Sequence, residues 1–218
     1  MRTRITELFG VKYPVICGGM LWLSTPEFCA AISNAGGLGN ITACNYNSGE
    51  ELRAAIQKAR ELTDKPFGIN ITLFPSMRLT EEVFDDFFRV CVEEKVNVIE
   101  VSGSPAVKYL DMCQKAGIKM MHKVGAVRHA LNIERYGYDA VIALGFEAGG
   151  HPLSDDVATT VLLPRIVESV KIPVISAGGI VDGRSMAAAL CLGAEGVLMG
   201  TRFIATKECQ VHSHIWEE

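Results

Sequence analysis

The sequence predicts an α/β domain, a parallel (β/α)8 TIM barrel, on three observations. Short apolar or β-branched runs alternate with longer amphipathic ones along the whole chain, the pattern of βα units around a parallel sheet. Eight such runs occur, separated by seven clear crossovers, whereas an open doubly wound sheet more often stops at about five or six strands. The runs also lack strict polar alternation, which agrees with strands buried on both faces.

The strands are expected over 14–20, 37–43, 66–73, 96–102, 119–125, 139–145, 173–177 and 196–200. Four helices between them have readable starts. Thr25-Pro26-Glu27, Ser48-Gly49-Glu50-Glu51, Thr80-Glu81-Glu82 and Ser104-Pro105 each set a capping side chain ahead of a helical run, with proline or acid in the first turn. Later helices are expected over 126–136, 159–170 and 183–192. An eighth would start near Thr206, but His212-Ser213-His214-Ile215-Trp216 does not make an amphipathic face. The expected division is therefore a barrel over 1–205 and a C-terminal segment over 206–218, the start of a truncated region.

Composition narrows the function. With 218 residues, of which 49% are hydrophobic, and a mean hydropathy of +0.22, the chain can bury a large core and is not disordered. A net charge of −4, from 25 acidic and 21 basic residues, leaves no excess of cations for a phosphodiester backbone, so no nucleic acid partner is expected. Seven cysteines without a CxxC pair read as small core residues in a reducing compartment. The N-terminus lacks an apolar secretion segment, and the longest apolar stretch, 186–200, is broken by Glu195 and by glycines. A cytoplasmic protein with no membrane partner is the expectation.

In such a barrel the chemistry belongs at the carboxyl ends of the strands. The seventh strand ends in Ala177-Gly178-Gly179 and the eighth in Met199-Gly200-Thr201. Two adjacent glycine-rich tips can bring several backbone N–H groups to one point, as a phosphate monoester requires. Tight βα turns account for one such glycine well and for the three together poorly. The sixth strand runs into Glu147-Ala148-Gly149-Gly150-His151-Pro152. His151 there is the best general base in the sequence, although on the residues alone it reads equally as a surface-loop histidine ahead of a proline. Lys123 would face inward if it shares a side with Met121 and Gly125, and it would then need an anion or an electron-rich ring beside it; a solvated lysine is the plainer reading. Asn70, between Ile69 and Ile71, is a buried amide whose partners an apolar barrel core would not supply, so a ligand edge is expected to satisfy it. His212 and His214 form a bare HxH without further ligands, so no metal is expected.

Taken together, Pro14-Val15-Ile16-Cys17-Gly18-Gly19-Met20, Asn34-Ala35-Gly36-Gly37-Leu38-Gly39, Phe67-Gly68-Ile69-Asn70, Glu147-Ala148-Gly149-Gly150-His151, Val174-Ile175-Ser176-Ala177-Gly178-Gly179-Ile180 and Met199-Gly200-Thr201-Arg202-Phe203 resemble the nitronate monooxygenase family. This group, once called 2-nitropropane dioxygenases, also includes FMN-dependent enoyl-acyl-carrier-protein reductases. The resemblance implies FMN at the carboxyl face. Gly178, Gly179, Gly200 and Thr201 would hold its phosphate, Asn70 and Lys123 would meet the polar edge of its ring, and the loop through Gly18, Gly19 and Met20 would pass beside the ring. Gly149, Gly150, Ala177 and Met199 complete the implied cofactor contacts, and His151 is the implied catalytic residue. The implied activity is oxidation of an alkyl nitronate with O2 to a carbonyl compound and nitrite. The alternative inside the family is a nicotinamide-driven enoyl thioester reductase. From other classes, a non-redox phosphate-binding barrel or an inactive flavin-binding scaffold remain alternatives.

The sequence departs from the family pattern in two places. Cys17 and Gly18-Gly19 stand where many members have a glutamine and a proline. Members also continue past the eighth strand with a substrate-covering region and a closing helix, so a partial chain is expected. Were its shortness genuine, the barrel would lean on a second subunit as a homo-oligomer.

Overall fold

Local capping chemistry sets most of the helix boundaries. The computed structural model describes residues 1–74, 79–150, 155–211 and 213–216. Thr25 accepts the Phe28 N–H ahead of α2 (Pro26–Asn34), and Ser48 accepts the Glu51 N–H ahead of α3 (Gly49–Leu62). Asp182 forms a capping box before α8 (Gly183–Cys191). Thr80 precedes α4 (Glu81–Glu93) without bonding the helix backbone. Ser104 is not a cap: α5 (Val107–Lys115) begins after Ala106, because Pro105 disfavours helical backbone at the residue before it and the Ala106 N–H is taken by the Tyr138 hydroxyl at 2.7 Å. Helices α6 (Val127–Tyr136) and α7 (Thr159–Ser169) lie where expected.

Eight parallel strands follow the expected order: β1 (Val15–Cys17), β2 (Gly39–Thr42), β3 (Phe67–Leu73), β4 (Val98–Gly103), β5 (Lys119–Val124), β6 (Ala140–Leu144), β7 (Val174–Ala177) and β8 (Gly196–Met199). Each neighbours the next in sequence, and β8 pairs with β1. The ring closes between β1 and β2, where the Cys17 N–H donates to the Leu38 carbonyl at 3.0 Å and the Leu38 N–H to the Val15 carbonyl at 2.9 Å. This is the (β/α)8 barrel that the periodicity predicts. The first strand is shorter than expected, because Gly18, Gly19 and Met20 leave the sheet to form the mouth loop.

Strand alternation splits the core in two. Ile41, Ile69, Ile99, Met120, Val141 and Val197 face the helices in the large outer layer. Ile16, Leu38, Val98, Met121, Ile142, Ile175 and Leu198 fill the barrel interior. The interior also receives Val11 and, from an element that the periodicity did not reveal, Ile5 and Phe9. Helix α1 (Arg4–Phe9) is started by a Thr3/Thr6 capping box and stopped by Gly10 at φ 68°. It plugs the amino-terminal end of the barrel, with Ile5 against Gly196 and Arg4 bonded to Glu195 and to the Lys171 carbonyl. After β8 come a four-residue helix, α9 (Thr201–Ile204), and a 3₁₀ turn, Ser213–Trp216. Among the described residues no helix is long and apolar enough to cross a membrane. All seven cysteines are thiols outside any disulfide, and only Cys191 is exposed.

The plug yields a stability test. Phe9 is 4% exposed, so Phe9→Ala should lower the unfolding free energy by about 3 to 5 kcal/mol. Urea denaturation reads this, and a loss below about 1 kcal/mol would show that the plug is dispensable.

Candidate active site

The interior of the barrel is apolar at its base and polar on one side of its upper half. Asn40 on β2, Asn70 on β3, Glu100 on β4 and Lys123 on β5 all point inward. Glu100 is fully buried, and its Oε1 lies 2.5 Å from the Lys123 Nζ. Asn70 Nδ2 donates to the same Oε1 at 3.1 Å, and Asn40 Nδ2 donates to Oε2 at 3.0 Å and to the Cys17 carbonyl at 2.7 Å. The Thr72 hydroxyl donates to Asn70 Oδ1 at 3.4 Å. Lys123 therefore does face inward, and its anion comes from the protein itself. The expectation for Asn70 needs correction: the core supplies partners for its amide, because β4 carries a carboxylate. Asn40 Oδ1 has no hydrogen-bond partner among the described residues. Neither Glu100 nor Asn40 stood out in the sequence, although the logic that found Asn70, a polar residue inside an apolar strand, applies equally to both.

The two glycine-rich tips are adjacent. Ala177 pairs with Leu198, so two residues further along Gly179 stands beside Gly200. Gly178 and Gly179 have φ of +102° and +69°, conformations that favour glycine. Their surroundings differ. A Cβ on Gly178 would lie 2.8 Å from the Thr159 hydroxyl and 3.1 Å from the Gly145 carbonyl, so packing already requires glycine there. A Cβ on Gly179 would meet nothing nearer than Glu147 Cβ at 3.8 Å, and one on Gly200 only Met20 Sδ at 3.6 Å. A Cβ on Gly149 or Gly150 would meet nothing within 4 Å among the described residues. Protein contacts account for Gly18 and Gly19, where a Cβ would strike Leu198 at 2.7 Å and the Asn70 amide at 2.1 Å. Met20 bridges the mouth loop to the Gly200 tip, and the Gly18 N–H donates to the Met199 carbonyl at 2.9 Å. The Met199 side chain packs toward the helix layer. Ala177 is buried in the barrel interior, and Thr201 is exposed at the start of α9.

The loop after β6 is pinned at its base. The Phe146 N–H donates to the Val157 carbonyl at 3.0 Å. The Glu147 carboxylate accepts the Thr159 N–H at 2.9 Å and its hydroxyl lies 2.9 Å away, so Glu147 caps α7 from the neighbouring loop. The Thr159 hydroxyl is also 3.0 Å from the Gly178 carbonyl. One threonine thus ties the Glu147-Ala148-Gly149-Gly150 segment to the β7 tip. His151, the expected catalytic base, lies outside the described residues.

His122 and His129 are elsewhere, and His212 lies outside the described residues. His122 faces the helix layer, where its Nδ1 is 2.7 Å from the Lys123 carbonyl and its ring meets Tyr138 edge-on at 5.5 Å. Burial pushes its pKa down to about 4, so it is neutral at pH 7. His129 is exposed on α6. Among the described residues no cluster of histidine, cysteine or carboxylates could hold a metal ion. A hollow of about 400 Å³ lies at the opposite end of the barrel, among Phe9, Pro66, Lys95, Asn97 and Lys119. A second of about 290 Å³ runs between α2 and Phe203, Thr206 and Glu208. Neither is lined by the strand tips described above.

The Glu147 cap carries a pH signature. Partial burial pushes its carboxyl up, but hydrogen bonds from its own N–H and from Thr159 outweigh this and hold it below the ordinary value of 4.5. A depressed carboxyl adds stability above its unfolded pKa and loses it as pH falls through the folded one. Glu147 is exposed, so solvent limits the effect. Glu147→Gln should therefore be less stable than wild type at pH 7 by about 0.3 to 1 kcal/mol, with the gap closing as pH falls below the ordinary carboxylate range. Equal gaps at pH 7 and below that range would remove the charged cap.

Comparison with known proteins places this geometry. The model of the nitronate monooxygenase family matches residues 2–216. The chain is 42% identical over its full length to (3aS,4S,5R,7aS)-5-hydroxy-7a-methyl-1-oxo-octahydro-1H-indene-4-carboxyl-CoA dehydrogenase of Rhodococcus jostii, covering 59% of that protein. It is 34% identical to a probable nitronate monooxygenase of Staphylococcus saprophyticus, with 98% of this chain and 72% of that protein aligned. Among solved structures it resembles FabK of Thermotoga maritima with a TM-score of 0.91 and 46% identity, over 100% of this chain and 67% of that one. It also resembles a nitroalkane oxidase of Streptomyces ansochromogenes with a TM-score of 0.87 and 29% identity, over 96% of this chain and 70% of that one. The chain thus spans about three fifths of the length of the first of these relatives. It belongs to the nitronate monooxygenase family of flavin-dependent oxidoreductases.

Proposed function

We propose that residues 1–205 form the FMN-binding barrel of an oxidoreductase acting on an acyl thioester. The observation that carries the cofactor reading is the open space over Gly179 and Gly200 on adjacent strand tips. A dianionic phosphate fits backbone N–H groups there, and those of Gly179, Gly200 and Thr201 are the proposed donors, with Gly178 holding the turn. The polar sector at Asn70 and Lys123 suits the oxygen- and nitrogen-rich edge of a flavin ring. Gly18, Gly19 and Met20 shape the wall beside it, and Gly149, Gly150, Ala177 and the main chain of Met199, whose side chain faces the helices, supply the remaining surface. When bound, FMN supplies a reversible two-electron acceptor. The protein then has to orient the substrate and move a proton, and His151 is the proposed residue for that transfer.

Two observations bear on the substrate. Identity is 42% to a CoA dehydrogenase and 46% to FabK, an enoyl-acyl-carrier-protein reductase, against 34% to a probable nitronate monooxygenase and 29% to a nitroalkane oxidase. This order favours a thioester over the alkyl nitronate that leads from the motifs. Nitronate oxidation with O2 stands as the second reading, on the family match and the staphylococcal relative.

Anaerobic titration separates them. The purified protein should show oxidised-flavin absorbance, lose it on addition of a nicotinamide, and regain it with an enoyl thioester. Insensitivity to nicotinamide together with bleaching by an alkyl nitronate would restore the second reading. Absence of flavin absorbance would return the non-redox barrel, and full flavin without any turnover the inactive scaffold.

Two variants test the residues. His151→Ala should keep FMN and lose about 10²- to 10⁴-fold in kcat; an unchanged kcat removes the assignment. Gly179→Val should not retain FMN, whereas Gly179→Ala, which carries similar left-handed backbone strain of about 1 to 2 kcal/mol, should retain it. Stoichiometric FMN in the valine variant would move the phosphate elsewhere.

A further inference from the structure

Glu100 belongs to no motif, yet it is the best-connected polar group in the barrel. Its three neighbours are all N–H donors: Lys123 Nζ at 2.5 Å, Asn40 Nδ2 at 3.0 Å and Asn70 Nδ2 at 3.1 Å. That is the complement of a carboxylate, since an ammonium and two amide nitrogens can only donate. Asn40 turns its amide nitrogen to Glu100 and Cys17 at the expense of its own Oδ1, which is left over Gly68 without a partner among the described residues. The arrangement satisfies the anion before the amide.

We infer that Glu100 is a positioning residue that aims the Lys123 ammonium and the Asn70 amide toward the barrel mouth and cancels the lysine's charge. The pair thus offers a bound flavin the ammonium N–H groups that Glu100 does not take, without a net cation. The inference rests on the proposal that the mouth holds FMN. It opposes the simpler view in which Lys123 acts as a lone positive charge that stabilises the reduced ring. A charge that close in a poorly screened interior acts strongly on a neighbouring redox group, so its cancellation is measurable.

The test is the reduced-to-oxidised ratio of bound FMN at a fixed dye potential. It is measured for wild type, Glu100→Gln, Lys123→Met and the double variant. Uncovering the lysine in Glu100→Gln should raise the ratio about tenfold or more, and uncovering the carboxylate in Lys123→Met should lower it by as much. The double variant, neutral again, should lie within about threefold of wild type. A lone cation predicts otherwise: Glu100→Gln would match wild type, and the double variant would fall as low as Lys123→Met. That pattern, or ratios insensitive to all three changes, overturns the inference and leaves the FMN site standing. A wild-type protein that binds no flavin overturns both.

Flavin-free protein gives a second readout. Each single variant leaves one buried charge unpaired and should unfold at lower urea than the double variant. Singles as stable as the double would also end the case for the pair.

Discussion

A carboxylate with no access to water is the constraint around which the upper barrel is arranged. Glu100 is fully buried, and a buried anion is tolerable only if each of its oxygens finds a donor. Lys123, Asn70 and Asn40 are those donors, and each makes its own demand. Asn40 presses so close to β3 that Gly68 is the one residue type that fits beneath it, and Asn70 does the same to Gly19 in the mouth loop. Gly19 in turn lets the chain pass from β1 to Met20, whose sulfur faces Gly200. The dependence runs from one charge on β4 to the tip of β8.

This ordering divides the glycines. Gly18, Gly19, Gly68 and Gly178 are fixed by neighbouring protein atoms, whereas Gly179, Gly200, Gly149 and Gly150 leave space that the described residues do not fill. Tight turns therefore explain part of the motif pattern and not the rest. The two groups meet at Thr159, whose backbone N–H is capped by Glu147 and whose hydroxyl reaches the Gly178 carbonyl. A change in the β6 loop must consequently be felt at the β7 tip.

The sequence made the barrel legible because each βα unit repeats one local pattern, and capping residues such as Ser48 and Asp182 act within three residues of where they stand. What escaped was whatever depends on distant partners. Helix α1 is six residues long, too short for periodicity to register, and its apolar face makes sense only once a barrel end needs closing. Ser104 looked like a cap until Tyr138, far along the chain, claimed the Ala106 N–H. Asn70 was noticed and then misjudged, because its partner Glu100 is thirty positions away and reads locally as a lapse in an apolar strand. The position of His151 was legible only as a motif, and it falls outside the described residues.

The polar and open sectors suggest a division of labour across the mouth. A salt bridge satisfied within the protein contributes direction more than field, since opposite charges 2.5 Å apart nearly cancel at the distance of a ligand. Attraction for a phosphate then has to come from elsewhere, and the tips of β7 and β8 carry no lysine or arginine before Arg184 and Arg202. Backbone N–H groups freed by glycine are the remaining source of positive potential on that side. A ligand with an anionic tail and a flat, hydrogen-bonding head would use both halves at once, which is why the FMN proposal accounts for the glycine tips and the buried carboxylate together, whereas a simple phosphosugar accounts for the tips alone.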